Sequence, residues 1–169
     1  MAKGRSLRNL LIVLVISLMC IGCDRVAKDL ARERLEPGVR TMLLGDIFRL
    51  QYEENRGGML SFGSDLNPQF RFMLFTVTVG TMLILLIAYA SFARDVGLLE
   101  RAAIAMIVGG GLGNLIDRIA YNGVVIDFLN LGIGGFRTAI FNVADVAVLG
   151  GVTLLVGSVL FRMIHHPSP

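Results

Sequence analysis

Apolar residues along the chain fall into four long runs, and three of them are short for the work they must do. Sixteen residues without charge fill 146–161, fourteen lie between Asn9 and Asp24, and fifteen lie between Arg101 and Asp117; only 72–93, with 22, is long by itself. A hydrocarbon core about 30 Å thick needs roughly 20 helical residues at 1.5 Å each. Each short run must therefore borrow polar residues from an end. The run 146–161 has Arg162 at one end, whose stem can snorkel to the headgroups, and Asp145 at the other, which is too short to reach far. An ionisable group held below the surface is costly, and a functional site is its default reading. Threading the chain back and forth four times puts Asp24, Asp117 and Asp145 at the same membrane face.

The pattern between the runs is different. Residues 25–37 continue the first helix with a rough apolar face, Asp24 and Lys28 stand at i, i+4, and Pro37-Gly38 stops the helix. From Phe48 to Glu53 apolar and polar residues alternate with period two, which predicts a strand. Glu54 to Gly58 reads as a turn, 59–62 as a return strand and 63–65 as its closure, so a small hairpin or sheet is expected on the outer surface within 39–66. The second outer loop, 119–140, holds a turn at Tyr121-Asn122-Gly123, an extended β-branched piece at 124–128 and a flexible glycine link at 132–135. The expected fold is a mainly α membrane protein, a single membrane-embedded domain over 1–169, with four transmembrane helices over about 9–24, 70–93, 102–118 and 142–162 and a small β-sheet.

Composition agrees with this. The chain of 169 residues is 54% hydrophobic with mean hydropathy +0.70, and its net charge of +3 is spread out, which excludes a nucleic-acid partner. Lys3, Arg5 and Arg8 precede the first run and orient the N-terminus inward, although eight Lys/Arg in 25–71 oppose a simple positive-inside count. Cys20 and Cys23 stand at i, i+3 with no redox context and are expected as small core residues. An alternative reading makes 1–23 a lipoprotein signal ending at Cys23, but Cys20 sits where an aliphatic residue is usual. The glycines at 109–111 and 113 lack the Lys-Ser/Thr of a phosphate loop and fit close helix packing in lipid. His165 and His166 have no neighbouring ligands and are expected to be solvated.

The chemistry follows from the convergence. Asp127 lies in the loop joining the third and fourth helices and Asp145 opens the fourth, so both lie on the face where Asp24 and Asp117 meet. Two close carboxylates share a proton, and such a pair can deprotonate a water and protonate a leaving amine without metal or cofactor. Asn142 and Asp145 are i, i+3; Asn114 and Arg118 are i, i+4, with Asp117 beside them. Asparagine can donate to a carboxylate, and Arg118 can fix a carboxylate or a substrate backbone. Asp117 with Arg118 reads equally as a structural ion pair, and Asp24 with Lys28 reads as structural. A non-enzymatic alternative uses Asp24, Asp117, Arg118 and Asp145 as a proton or ion relay through the bundle.

Five ordered motifs carry a resemblance. Asp24-x-x-x-Lys28, Asn55-x-Gly57, Gly113-Asn114-x-x-Asp117-Arg118, Gly123-x-Val125-Ile126-Asp127-Phe128 and Phe141-Asn142-x-Ala144-Asp145 are similar to the motif set of bacterial lipoprotein signal peptidases, over residues about 10–162. The resemblance implies an inner-membrane four-helix fold with a periplasmic β-cradle. It implies an aspartic dyad, Asp127 and Asp145, that removes signal peptides from diacylglyceryl-modified prolipoproteins before the lipidated cysteine. Asn55, Gly57, Asn114, Asp117, Arg118 and Asn142 would bind substrate or support the site, with Asp24 and Lys28 structural. No metal or cofactor is implied; the expected partners are prolipoproteins and membrane lipids, and the expected state is a monomer. Two departures stand out: Cys23-Asp24-Arg25 where the family usually has Phe-Asp-Gln, and Gly57-Gly58-Met59-Leu60 where Gly-Ala-Ala and an aromatic are usual. They bear on substrate preference and inhibitor fit, and a divergent paralogue with narrow substrates is the matching alternative.

Overall fold

The computed structural model describes residues 2–58, 61–93 and 95–165, with side chains from residue 6 onward. Four helices are long and apolar enough to cross a membrane. Helix α1 runs Ala2–Arg34, α2 Pro68–Phe92 with a π-helical turn at Met73–Thr78, α3 Leu98–Ala120 and α4 Val143–His165. Strands β1 (Arg40–Leu43), β2 (Phe48–Asn55), β3 (Val125–Ile133) and β4 (Phe136–Arg137) form one antiparallel sheet in that order.

Each helix shows its apolar surface outward and its small or polar residues inward. On α1 the buried residues are Asn9, Val13, Ser17, Asp24, Lys28 and Ala31, while Leu7, Leu11, Leu14, Leu18 and Met19 are exposed. That polarity suits a lipid solvent, where helices gain from close packing and internal hydrogen bonds. Ser17 donates to the Ala105 carbonyl at 3.0 Å.

Helix α3 is central, and three successive glycines explain how. Consecutive helical residues are rotated by about 100°, so each faces a different neighbour. A Cβ on Gly109 would stand 2.8 Å from the Ser17 carbonyl oxygen of α1; on Gly110, 2.3 Å from that of Ala144 in α4; on Gly111, 2.7 Å from Leu83 in α2. At the far end of the bundle Arg101, buried, donates to the carbonyls of Ala90, Ala93 and Val96 and so ties α3 to the end of α2.

Helix α1 runs past the apolar run to Arg34, and Gly38 follows with φ +82. Its extension carries the sheet: Ala31 packs with Val124, Ile126 and Phe128 of the 124–133 segment, with Ala27, Leu35 and Tyr52 around them. Alternation then turns Asp127 to the opposite face, toward the bundle.

Three expectations need correction. The hairpin partner of β2 is β1, with Arg40 opposite Gln51 and Leu43 opposite Phe48, and β3 pairs on its other edge; Ser61 and Phe62 lie in a turn, and Met59 and Leu60 lie outside the described residues. The glycine link is a hairpin instead, with Gly132 opposite Arg137 and Ile133 opposite Phe136. Cys23 is exposed on the outer surface of α1 and Cys20 only half-buried, since the buried stripe passes through Asp24. Helices α1, α3 and α4 also run longer at both ends than their uncharged runs. His165 stacks on Phe161, with ring centroids 4.1 Å apart, and His166 lies outside the described residues.

Because a Cβ at residue 110 meets backbone, Gly110→Ala must push α4 from α3. We expect a loss of about 1–3 kcal/mol by thermal unfolding in detergent. Gly157→Ala, with open space around it, should cost nothing.

Candidate active site

Asp127 and Asp145 come together because β3 holds the start of α4. Phe141 forms an isolated antiparallel bridge with Leu129, its carbonyl accepting from the Phe128 and Leu129 amides at 3.0 and 2.8 Å. That leaves Asn142 beside Asp127 and Asp145 one turn into the helix. The Asn142 side-chain oxygen accepts from the Asp145 amide at 3.0 Å, and the Asp145 carboxylate accepts from the Asn142 amide at 3.1 Å. This reciprocal capping satisfies two otherwise orphaned helix donors.

The cap also settles which way the Asn142 amide points. With its oxygen committed, its nitrogen donates to Asp127 Oδ1 at 2.6 Å, with Asn114 Oδ1 at 3.0 Å. Asn142 is fully buried and touches both carboxylate residues. The same logic holds for Asn55. Its oxygen accepts from the Gly57 amide at 2.9 Å, so its nitrogen faces Asp127 Oδ2, also at 2.9 Å. A bulge makes that contact available. Between Leu50 and Glu53 the register gains one residue on β2, which pairs Asn55 with Val125. Without it Asn55 would stand opposite residue 124 and face away from Asp127.

Asp145 Oδ1 accepts from Asn114 of α3 at 2.9 Å. Asn114 is in turn held by Lys28, whose ammonium donates to Asn114 Oδ1 at 2.9 Å. The same ammonium lies 2.7 Å from Asp24 Oδ2 and 2.8 Å from Asp117 Oδ2, with all three side chains fully buried. Asp24 Oδ1 accepts from the Ala144 amide at 2.9 Å, joining α1 to the first turn of α4. Gly113 makes room for this carboxylate, since a Cβ there would stand 2.7 Å from Asp24 Oδ2.

Arg118 is bound differently from the ion pair its neighbour suggests. It donates to the Gly57 carbonyl at 2.9 Å and lies over the Phe75 ring at 5.6 Å, while its buried Nε has no partner among the described residues. Asp117 pairs with Lys28 and Arg25 instead. Gly57 is buried, and a Cβ there would stand 2.4 Å from the Phe62 carbonyl oxygen.

Burial pushes the Asp127 carboxyl up to about 6; the Asp145 charge adds to this, and the Asn55 and Asn142 bonds and the Lys28 charge oppose it. Asp127 is 3% exposed and lies outside the membrane-spanning helices. A raised carboxyl beside a second carboxylate can hold a proton up to about pH 6 and exchange it with a reacting group.

The structure brings together Asp127, Asp145, Asn55, Asn114 and Asn142 around one point. It puts Asp24, Lys28 and Asp117 behind Asn114, and Arg118 and Gly57 at the loop edge. Sequence reasoning missed Lys28 as a hub and Arg25 as part of the network. The signal for Lys28 was its position on the buried stripe of α1, one turn after Asp24. Phe75, which packs under Gly58 and Gly63, carried no local signal.

A profile of the signal peptidase (SPase) II family matches residues 16–161. A lipoprotein signal peptidase of Moorella thermoacetica is 37% identical over 142 residues, covering 84% of this chain and 88% of that protein. One of Caldanaerobacter subterraneus is 35% identical over 149 residues, covering 88% and 96%. A bacterial membrane enzyme solved by the in meso method at 2.3 Å resolution shares the fold, with a TM-score of 0.79 at 24% identity over 93% of this chain and 92% of that one. Another, solved at 1.9 Å, gives 0.73 at 27% identity, covering 88% and 92%.

The raised Asp127 predicts a pH-dependent stability. The folded state binds this proton more tightly than the unfolded chain, so stability is highest below the unfolded carboxyl range near 4 and falls as pH rises through about 6. Asp127→Asn should therefore stabilise the protein at pH 8 by about 1–3 kcal/mol more than at pH 4.5, as read by thermal unfolding at the two pH values.

Proposed function

The chain belongs to the signal peptidase II family, and from that premise we propose that it removes signal peptides from diacylglyceryl-modified prolipoproteins, using Asp127 and Asp145 to cut before the lipidated cysteine. It is a peptidase, and four of its helices are long and apolar enough to make it a multi-pass membrane protein. The observation that carries the dyad reading is the Asn142 amide, which bonds both aspartate residues and is itself oriented by the start of α4.

The chemistry follows from those contacts. The pair shares one proton, held on Asp127, where burial favours it. Asp145 takes a proton from a water as that water attacks the scissile carbonyl, and Asp127 gives its proton to the carbonyl oxygen. The tetrahedral diol then collapses, the amide nitrogen leaves with a proton from Asp145, and a diol proton returns to Asp127, so the pair is restored with one proton. Asn55 and Asn142 hold Asp127, and Asn114 holds Asp145. Arg118, tied to the Gly57 carbonyl, borders the space a peptide backbone would use.

The reading sets the dyad at the periplasmic face of the inner membrane, with both termini inside. Against a conducting bundle stands the middle of the molecule, where Val13, Ile104, Ala105 and Val108 form an apolar core.

The test is cleavage in detergent of a purified diacylglyceryl-modified prolipoprotein. The wild type should process it with a bell-shaped pH profile whose alkaline limb reports loss of the shared proton. Asp127→Asn and Asp145→Asn should each lower the rate by about a thousandfold or more. Either variant retaining wild-type processing overturns the dyad.

A further inference from the structure

Arg25 is the residue the site description leaves without a role. It is the last charged group between the buried seam of α1 and α3 and the water outside. Its guanidinium pairs with Asp117, its second nitrogen lies 3.5 Å from the Tyr121 hydroxyl, and Asp29 stands 4.0 Å away. Its side chain is 23% exposed, that of Asp117 is fully buried, and that of Asp29 is 60% exposed. Arg32 stacks on Tyr121 at 3.8 Å and closes the outer side.

Counting charge in this seam gives a balanced set: Asp24 and Asp117 against Lys28 and Arg25. Lys28 divides its ammonium among three oxygens, in ion pairs with the two carboxylates and a hydrogen bond to Asn114. Without Arg25 a single ammonium would face two buried carboxylates, and one negative charge would stand uncancelled. Buried charges left unpaired are strongly unfavourable, so Lys28 would be drawn toward Asp117. Asn114 would lose the charged one of the two donors on its oxygen, keeping only the Asn142 amide, and would be held less firmly toward Asp145.

We propose that Arg25 is a positioning residue for the Asp127–Asp145 pair: it neutralises Asp117 from the aqueous side, leaves Lys28 free to hold Asn114, and through Asn114 fixes Asp145. The proposal rests on the dyad reading above. It carries a second consequence in charge. Asp127 is faced by Asp145 of α4, Lys28 of α1 and Arg118 of α3, with Glu53 as its register partner on β2. An added negative charge behind Lys28 favours the protonated Asp127 carboxyl, so the alkaline limb of the activity profile moves to higher pH.

The experiment compares full-length wild type, Arg25→Gln and Arg25→Lys in detergent on the diacylglyceryl-modified prolipoprotein, measuring kcat, KM and the pH profile. Arg25→Gln should lower kcat on the order of tenfold with KM within about twofold, because the group acts through Asn114 and not on the substrate. The alkaline limb of its pH profile should move upward by about 0.5 units, and Arg25→Lys should restore both. A wild type that cleaves nothing overturns the functional reading and this proposal with it. A wild type that cleaves, with Arg25→Gln unchanged, overturns this proposal alone. So does a loss of kcat with an unmoved profile, a loss that lysine does not rescue, or a failure of both variants to fold, since each makes Arg25 merely structural.

Discussion

One ammonium organises this molecule. Lys28 is fully buried at the end of a membrane bundle, and a bare cation there would cost several kcal/mol. It is tolerated because three oxygens from two helices surround it, and those oxygens have other obligations. Asp24 also holds the first turn of α4, Asp117 also holds Arg25, and Asn114 also holds Asp145. The requirement to satisfy one charge thus fixes the relative heights of α1, α3 and α4 where Asp127 and Asp145 come together.

Orientation, beyond proximity, is what the surrounding amides add. An asparagine can present either end to a carboxylate, and a free amide would do both. Here Asn142 and Asn55 each spend their oxygen on a backbone N–H, one in a helix cap and one in a turn, so only nitrogen is left for Asp127. Backbone geometry thereby dictates side-chain polarity. The arrangement has a cost. Asp127 is kept where its ionised form is disfavoured, and stability is given up as pH rises through about 6 and the buried group must ionise.

Much of this was legible because a bilayer imposes a length the chain cannot negotiate. Runs of fourteen, fifteen and sixteen uncharged residues fall short of a crossing, so the aspartates at their ends had to lie within one layer. The β-sheet was less legible, because strand partners are chosen across the chain. Only the segment 59–62 read as a return strand beside β2, whereas its actual neighbours, 40–43 and 125–133, are set by the whole fold. The bulge that turns Asn55 toward Asp127 leaves no mark in an alternation pattern. The partners of Asp117 were misread for a local reason. Adjacent residues on a helix point about 100° apart, so Arg118 faces the loop at Gly57 while Asp117 faces α1.

The three glycines of α3 have a mechanical consequence. A helix seated at backbone distance against α1 and α4 and against the Leu83 side chain of α2 is hemmed in on three sides and resists sliding or turning. The bundle end that carries Asn114 is therefore a fixed frame. A bulky ligand would be admitted by displacement of elements that rest on the frame without being locked into it. The segment around Gly57, Gly58 and Gly63 is such an element: it is held by the ring of Phe75 and by side-chain hydrogen bonds from Arg118, Asn55 and Arg71. Rigidity and compliance are thus divided between neighbouring parts of the chain, and the site lies on the seam between them.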